Sequence, residues 1–102
     1  MMIYVAHRYG GSAENLKQAR KITHALAVDD TKNTYICPLL ALSHLGHKEI
    51  DREDEIEQRL DLLTCCEMIV VASEPSGIMR REIDLARRLG MEVHYLDRAF
   101  TE

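Results

Sequence analysis

The segment SEPSGIMRRE, residues 73–82, carries the side chains best suited to chemistry in this sequence. Ser76 is a suitable helix N-cap, so its hydroxyl and the free N–H groups of the first turn would face a ligand cleft. Glu82 follows six residues later, where its carboxylate still feels the positive helix end. That carboxylate either faces the cleft, or lies on the surface and pairs with Arg80 or Arg81. By pattern alone the surface pair is the commoner outcome, so both interpretations stay open.

A second loop, AHRYGGSAEN, places two adjacent glycines before a helix start. Backbone N–H groups around Gly10 and Gly11 would cradle a phosphate, although glycine pairs also form plain tight turns. Arg8 adds a flexible cation that suits a phosphate or a carboxylate. The loop has neither the GxGxxG pattern nor the lysine of a P-loop. We therefore predict that Arg8, Gly10 and Gly11 contribute to anion binding at the mouth of a cleft.

Metal ligands and reactive thiols are weakly indicated. His44 and His47 stand three apart, but no HExxH or CxxC accompanies them, and a structural zinc needs four ligands. We expect no metal site and no bound cofactor. The odd number of cysteines, with Cys65 and Cys66 adjacent, indicates reduced thiols and a cytoplasmic protein rather than a disulfide framework. Cys65 and Cys66 are interpreted as small core residues.

Strand and helix patterns alternate along the whole chain. Apolar, β-prone runs predict strands at residues 2–6, 34–37, 68–72 and 92–96. Apolar residues at helical spacing predict helices at residues 13–27, 51–65 and 79–89, with Gly90 as a left-handed cap. This alternation is typical of an α/β fold with a parallel sheet covered on both faces. Right-handed crossovers then bring the two glycine- and serine-containing loops to the same edge of the sheet.

Composition limits the class of protein. A chain of 102 residues with 46% hydrophobic and 29% charged residues predicts one globular domain, residues 1–102. A net charge of -4 disfavours a nucleic-acid polymer as partner. The N-terminal segment lacks a signal-peptide pattern. The longest apolar run after it, residues 68–72, is too short for a membrane span. The thin core of so short a chain, and apolar Leu62, Met79 and Leu85 on its helices, predict a homo-oligomer, a dimer at least.

Four motifs in order resemble the nucleoside 2-deoxyribosyltransferase superfamily, and within it the small phage and bacterial branch. They are IYVAHRYGG followed by Asn15 and Ala19, Pro38 after a strand, DLLTCCEMIVVAS, and SGIMRREIDLARRLG. The resemblance covers nearly the whole chain. It implies a single-domain flavodoxin-like or Rossmann-like three-layer sandwich, with a parallel sheet of four to five strands.

The resemblance also implies roles for individual residues. Glu82 matches the glutamate that attacks C1′ of a deoxynucleoside, and Tyr4 matches the tyrosine that orients it. Asp61 matches the acid that protonates or positions the base, and Ser76 the serine that holds a hydroxyl or a 5′-phosphate. Such chemistry needs a nucleophilic carboxylate and a second acid to help the base leave. The expected ligand-binding residues are Arg8, Gly10, Gly11, Asn15, Ser76 and Gly77.

Two functions fit these residues, each with a small nucleoside or nucleotide as partner. One is hydrolysis or transfer of an N-glycosidic bond. The other is non-catalytic binding of a nucleotide-like ligand on the same scaffold. Glu82 discriminates between them, because an enzyme needs this carboxylate beside Tyr4 in the cleft. We expect Arg80, Arg81 and the helix end to keep Glu82 ionised at neutral pH.

Overall fold

Four parallel strands form the central sheet of the computed structural model, which describes residues 1–43 and 50–101. The strands are Met2–Ala6 (β1), Thr34–Ile36 (β2), Met68–Val71 (β3) and Glu92–Tyr95 (β4). The helices are Ala13–Asp29 (α1), Pro38–Ala41 (α2), Arg52–Thr64 (α3) and Gly77–Arg88 (α4), and a 3₁₀ turn follows at Arg98–Phe100. The α/β class, the parallel sheet and its number of strands are confirmed.

The strand order β2-β1-β3-β4 places β1 inside the sheet. Tyr4 at the middle of β1 lies opposite Ile36 on one side and Ile69 on the other. The chain runs outward from β1 to β2 and then crosses back to β3, so the order reverses between β1 and β3. Ligands of such sheets bind outside the carboxyl ends of the strands at this reversal. The loops after β1 and β3 meet there, and the Arg8 N–H donates to Ser73 Oγ at 2.9 Å.

Helices cover both faces of the sheet, because strands buried on both sides need apolar cover on both. The face under α3 and α4 packs Tyr4 and Ile69 against Leu63, Met79 and Ile83. On the opposite face, α1 and α2 bury a second cluster, which consists of Val5, Ala19, Cys37, Leu39 and Ala72. The three-layer sandwich is therefore confirmed.

Two helices begin at a serine, and one ends at a glycine, at the positions that the sequence predicts. Ser12 Oγ accepts the Asn15 N–H at 3.2 Å and caps α1. Ser76 Oγ accepts the Met79 N–H at 3.4 Å and caps α4. Gly90 has a φ of +73°, and the N–H groups of Gly90 and Met91 donate to carbonyls in the last turn of α4. Both serine caps and the left-handed glycine cap are confirmed.

One local prediction is wrong, and one feature is added to what was expected. Strand β2 ends before Pro38 as expected, and Pro38 also begins the short helix α2, because its fixed φ suits the first helical position. Cys65 is exposed at the end of α3, while Cys66 beside it packs in the core cluster with Leu63 and Ile69. Only Cys66 therefore belongs to the core as expected.

The expected oligomer loses part of its basis. Met79 is 1% exposed in the single chain, and Leu62 and Leu85 pack against the same core cluster. Met79 is therefore covered within one chain, whereas Leu62 and Leu85 are only partly buried. No helix in residues 1–43 or 50–101 is long and apolar enough to cross a membrane.

Candidate functional site

A cavity of about 550 Å³ opens at the carboxyl edge of the sheet, where the strand order reverses. Its wall combines the loop after β1, the first half of α3 and the start of α4. The lining residues are His7, Tyr9, Gly10, Gly11, Arg52, Glu55, Ile56, Arg59, Ser76, Gly77, Ile78, Met79 and Arg81. Cavities of this size suit a small organic ligand. The two loops singled out in the sequence thus meet at one site.

Glu82 is buried against Tyr4 beside this cavity. Glu82 lies on the inner face of α4, 1% exposed, one turn after the lining residues Ile78 and Met79. Tyr4 is fully buried on β1, and its hydroxyl donates a hydrogen bond to Glu82 Oε2. The interpretation of Glu82 as a surface glutamate is wrong, and the expected contact with Tyr4 is present. The side chain of Glu82 is not itself part of the cavity lining.

Burial controls the ionisation of this pair. Desolvation raises the pKa of Glu82 to about 7, and the Tyr4 hydrogen bond and the Arg59 charge oppose that rise. Burial, followed by the Glu82 charge, raises the pKa of Tyr4 well above its ordinary range, so its phenol stays a donor. Burial therefore favours the protonated form of Glu82 more than it is favoured in an exposed glutamate. Burial thus opposes the ionised state that was expected for Glu82, and Arg81 pairs with Glu53 at 2.9 Å.

Arg59 is a buried cation that sequence reasoning missed. It is 8% exposed, and its Nη2 donates to Glu55 Oε1 at 3.2 Å. Its positive charge lowers the pKa of both Glu82 and Tyr4. A signal was available, because Arg59 lies between Ile56 and Leu63 at helical spacing on an otherwise apolar face of α3. An arginine at such a position is buried with a partner, or it is functional.

The glycine pair forms a tight turn in the cavity wall. Gly10 and Gly11 have φ values of +56° and +77°, and the Ser12 N–H donates to the Tyr9 carbonyl at 2.9 Å. Positive φ at both central residues is typical of a type I′ turn, which L side chains rarely tolerate. Asn15 Nδ2 donates to the same Tyr9 carbonyl at 3.2 Å. Asn15 thus steadies the turn and does not line the cavity.

His7 is a second residue that sequence reasoning passed over. It directly follows β1, is 6% exposed and lines the cavity. Its Nδ1 lies 2.7 Å from the Arg8 carbonyl. A carbonyl only accepts, so Nδ1 carries the proton and Nε2 is the remaining ring nitrogen. The signal in the sequence was a polar side chain immediately after a buried strand at the ligand edge.

Besides Asn15, two further expected residues do not line the cavity. Asp61 is exposed near the C-terminal end of α3, and Arg8 is exposed in the loop after β1. The cations in the cavity wall come instead from Arg52 and Arg59 on α3 and from Arg81 on α4. The helix register explains Asp61, because it follows Arg59 by two positions and so points away from the face that Arg59 occupies.

The described residues hold no group of three or more His, Cys, Asp or Glu side chains close enough to bind a metal ion. His44 and His47 lie outside those residues. The cavity wall combines N–H donors and guanidinium groups with an adjoining carboxyl–phenol pair. Such groups bind an anionic or polar organic ligand and supply acid–base or nucleophilic chemistry.

Comparison with known proteins supports the fold and identifies the family. The structure is similar to that of the 2-desoxiribosyltransferase from Leishmania mexicana, with a TM-score of 0.67 and 15% sequence identity. The match covers 92% of this chain and 62% of that chain, so this protein spans less than two thirds of its neighbour's length. No curated protein sequence matches this chain. Residues 1–96 match the family described as a domain of unknown function, DUF7768, and the chain therefore belongs to that family.

Proposed function

We propose that this protein cleaves the N-glycosidic bond of a nucleoside or nucleotide, by hydrolysis or transfer, with Glu82 as the nucleophile. The observation that carries the proposal is the buried hydrogen bond from Tyr4 to Glu82 beside the cavity. Burying a carboxyl group on a helix face is costly, and a purely structural site would be filled by an apolar side chain at less cost. The fold shared with a 2-desoxiribosyltransferase supports the same reaction class.

The pair has the features that a nucleophilic carboxylate needs. Tyr4 holds Oε2, so Oε1 is the oxygen left to attack C1′ as the base departs. Attack occurs on an oxocarbenium-like sugar, which a nearby negative carboxylate stabilises. Because Glu82 is shielded from bulk water, its ionised form is weakly solvated and reactive. Arg59 favours that ionised form through its charge.

The cavity wall supports a nucleotide as well as a nucleoside. Gly10 and Gly11 line one side of the cavity, while Ser76 and Gly77 at the start of α4 line another. Backbone N–H groups in a glycine turn and at a helix start attract phosphate oxygens. Arg52, exposed on α3, adds a cation that has no ion pair within the described part of the chain.

A panel of nucleosides and 5′-monophosphates, read by chromatography for free base, tests the proposal. Wild-type protein is expected to release base from at least one member, and Glu82→Gln is expected to release none. Glu92→Gln is the matched control, because Glu92 is an exposed glutamate on β4. Release by Glu82→Gln at the wild-type rate would contradict the role of Glu82. A panel without release, but with a clear rise in melting temperature, would support the non-catalytic ligand-binding protein instead.

A further inference from the structure

Cleavage of an N-glycosidic bond needs a proton donor for the departing base as well as a nucleophile. Asp61, the residue expected in that role, is exposed near the end of α3 and does not line the cavity. Glu82 cannot serve, since the same carboxyl group has to attack C1′. The proton therefore has to come from another side chain in the cavity wall.

Few side chains in the wall can give up a proton near neutral pH. The three arginines Arg52, Arg59 and Arg81 keep theirs at any physiological pH. Glu55 accepts a hydrogen bond from Arg59 at 3.2 Å, so its carboxyl group is already engaged by a cation. A phenol, as in Tyr9, is a far weaker acid than an imidazolium. Imidazole is the side chain whose charge ordinarily changes near neutral pH, and His7 supplies it.

The hydrogen bond that His7 makes leaves one of its ring nitrogens without a partner in the described part of the chain. Nδ1 donates to the Arg8 carbonyl, which fixes the ring and its tautomer. Nε2 has no hydrogen-bond partner within residues 1–43 and 50–101. Every buried side-chain nitrogen and oxygen in those residues has a hydrogen-bond partner. Since Nε2 has none, it is accessible to solvent. The small solvent-accessible surface of His7 therefore includes Nε2, and His7 is one of the residues that line the cavity.

We propose that His7 donates, through Nε2, the proton that the departing base needs, an inference that rests on the proposed function. In the first step Glu82 Oε1 bonds to C1′ while the C1′–N bond breaks, and its electron pair goes to the base nitrogen. The Nε2 proton of the imidazolium moves to the base, which leaves neutral, and His7 becomes neutral. In the second step water attacks C1′, Nε2 takes the water proton, and Glu82 leaves as a carboxylate.

Two substitutions separate the functions of the ring. His7→Asn keeps an amide N–H near the position of Nδ1, so the hydrogen bond to the Arg8 carbonyl survives while the Nε2 group is lost. His7→Gln places an amide N–H near the position of Nε2, where it donates a hydrogen bond but transfers no proton. His94→Asn is the control, because His94 is an exposed histidine on β4 away from the cavity lining.

The test compares two leaving groups in each protein. One is the best substrate of the panel, and the other is its analogue whose base leaves without protonation: the N7-methyl form of a purine, or the 5-nitro form of a pyrimidine. Both His7 variants are expected to lose about 10²- to 10⁴-fold in base release from the ordinary substrate. They should lose less than about tenfold on the activated analogue. Because both rates come from one sample, their ratio does not depend on how much variant protein is folded.

The outcomes distinguish this inference from the proposed function. Equal losses on both substrates, or no loss on either, would overturn the role of His7 alone, provided that Glu82→Gln is inactive. A loss in His7→Asn that His7→Gln restores would also overturn it, because hydrogen-bond donation without proton transfer would then suffice. Wild-type protein that releases base from neither substrate would overturn the proposed function and the role of His7 together.

Discussion

Replacing Glu82 by glutamine should remove a pH-dependent loss of stability. Glutamine has nearly the same shape as glutamate, accepts the hydrogen bond from Tyr4 and cannot ionise. Alanine is a poorer choice, because it would leave a void and an unpaired Tyr4 hydroxyl in a buried site. The difference in unfolding free energy between wild type and Glu82→Gln therefore reports the ionisation of Glu82.

The size of this difference in unfolding free energy follows from the pKa of Glu82. Burial raises it from an ordinary value of 4.5 to about 7. A difference of about 2.5 pH units, at about 1.36 kcal/mol each, corresponds to about 3 kcal/mol. Between these two pKa values the folded protein holds a proton that the unfolded chain has released, so stability falls as pH rises. The contribution of protonated Glu82 to the free energy of unfolding is fully present below pH 4.5 and is lost as the pH rises through about 7.

Urea denaturation of both proteins, at intervals from about pH 4 to about pH 9, measures this difference. Other titrating groups cancel, because they are common to the two proteins. We expect wild type to lose about 3 kcal/mol relative to Glu82→Gln over this range, a large part of the 5–15 kcal/mol typical of a domain. A flat difference would show that burial does not raise the pKa of Glu82. A difference that favours wild type with rising pH would show that Glu82 is held ionised, and either result refutes the reasoning.

Four further outcomes are expected. Base release by wild type from the analogue whose base leaves without protonation should rise with pH through about 7 as Glu82 ionises, and a pH–rate profile on that analogue without the rise would contradict a carboxylate nucleophile. Tyr4→Phe removes the hydroxyl that stabilises the ionised carboxylate of Glu82, so the free energy of unfolding should fall by about 1–3 kcal/mol and base release should slow. Unchanged kinetics of base release would count against an orienting role of Tyr4. Gly10→Ala should cost about 1 kcal/mol through its positive φ alone, since nothing lies within 4 Å of the added methyl group, whereas Gly77→Ala should cost nothing. Arg52→Ala should weaken the binding of 5′-monophosphates about tenfold more than the binding of nucleosides in calorimetric titrations. Arg8→Ala should change the binding of both classes equally, because Arg52 lines the cavity and Arg8 does not.

The expected homo-oligomer stays a prediction. Its remaining support is the small core of a 102-residue chain and the partial exposure of Leu62 and Leu85, since Met79 is buried within one chain. Light scattering at high micromolar concentration should give at least twice the monomer mass. A monomer mass at that concentration would contradict the prediction.

Local features of this protein were predictable because their causes lie within a few residues. Ser12 and Ser76 cap the helices that follow them, and Gly90 ends α4 with a positive φ. The meeting of the loops after β1 and β3 was also predictable, because parallel strands with right-handed crossovers share one carboxyl edge. The resemblance paired Tyr4 with Glu82, although 77 residues lie between them in the chain.

Tertiary structure alone decided how the site residues are charged and which of them reach the cavity. Glu82 has Arg80 and Arg81 beside it in the sequence, yet desolvation by the surrounding core dominates its pKa. Desolvation depends on every neighbouring element, so no local pattern reveals it. The packing of α3 brought Arg59 inward and left Asp61 in solvent, and the fold placed His7 in the cavity wall. The sequence by itself determined where chemistry was available, and packing determined which groups are buried, paired or open to a ligand.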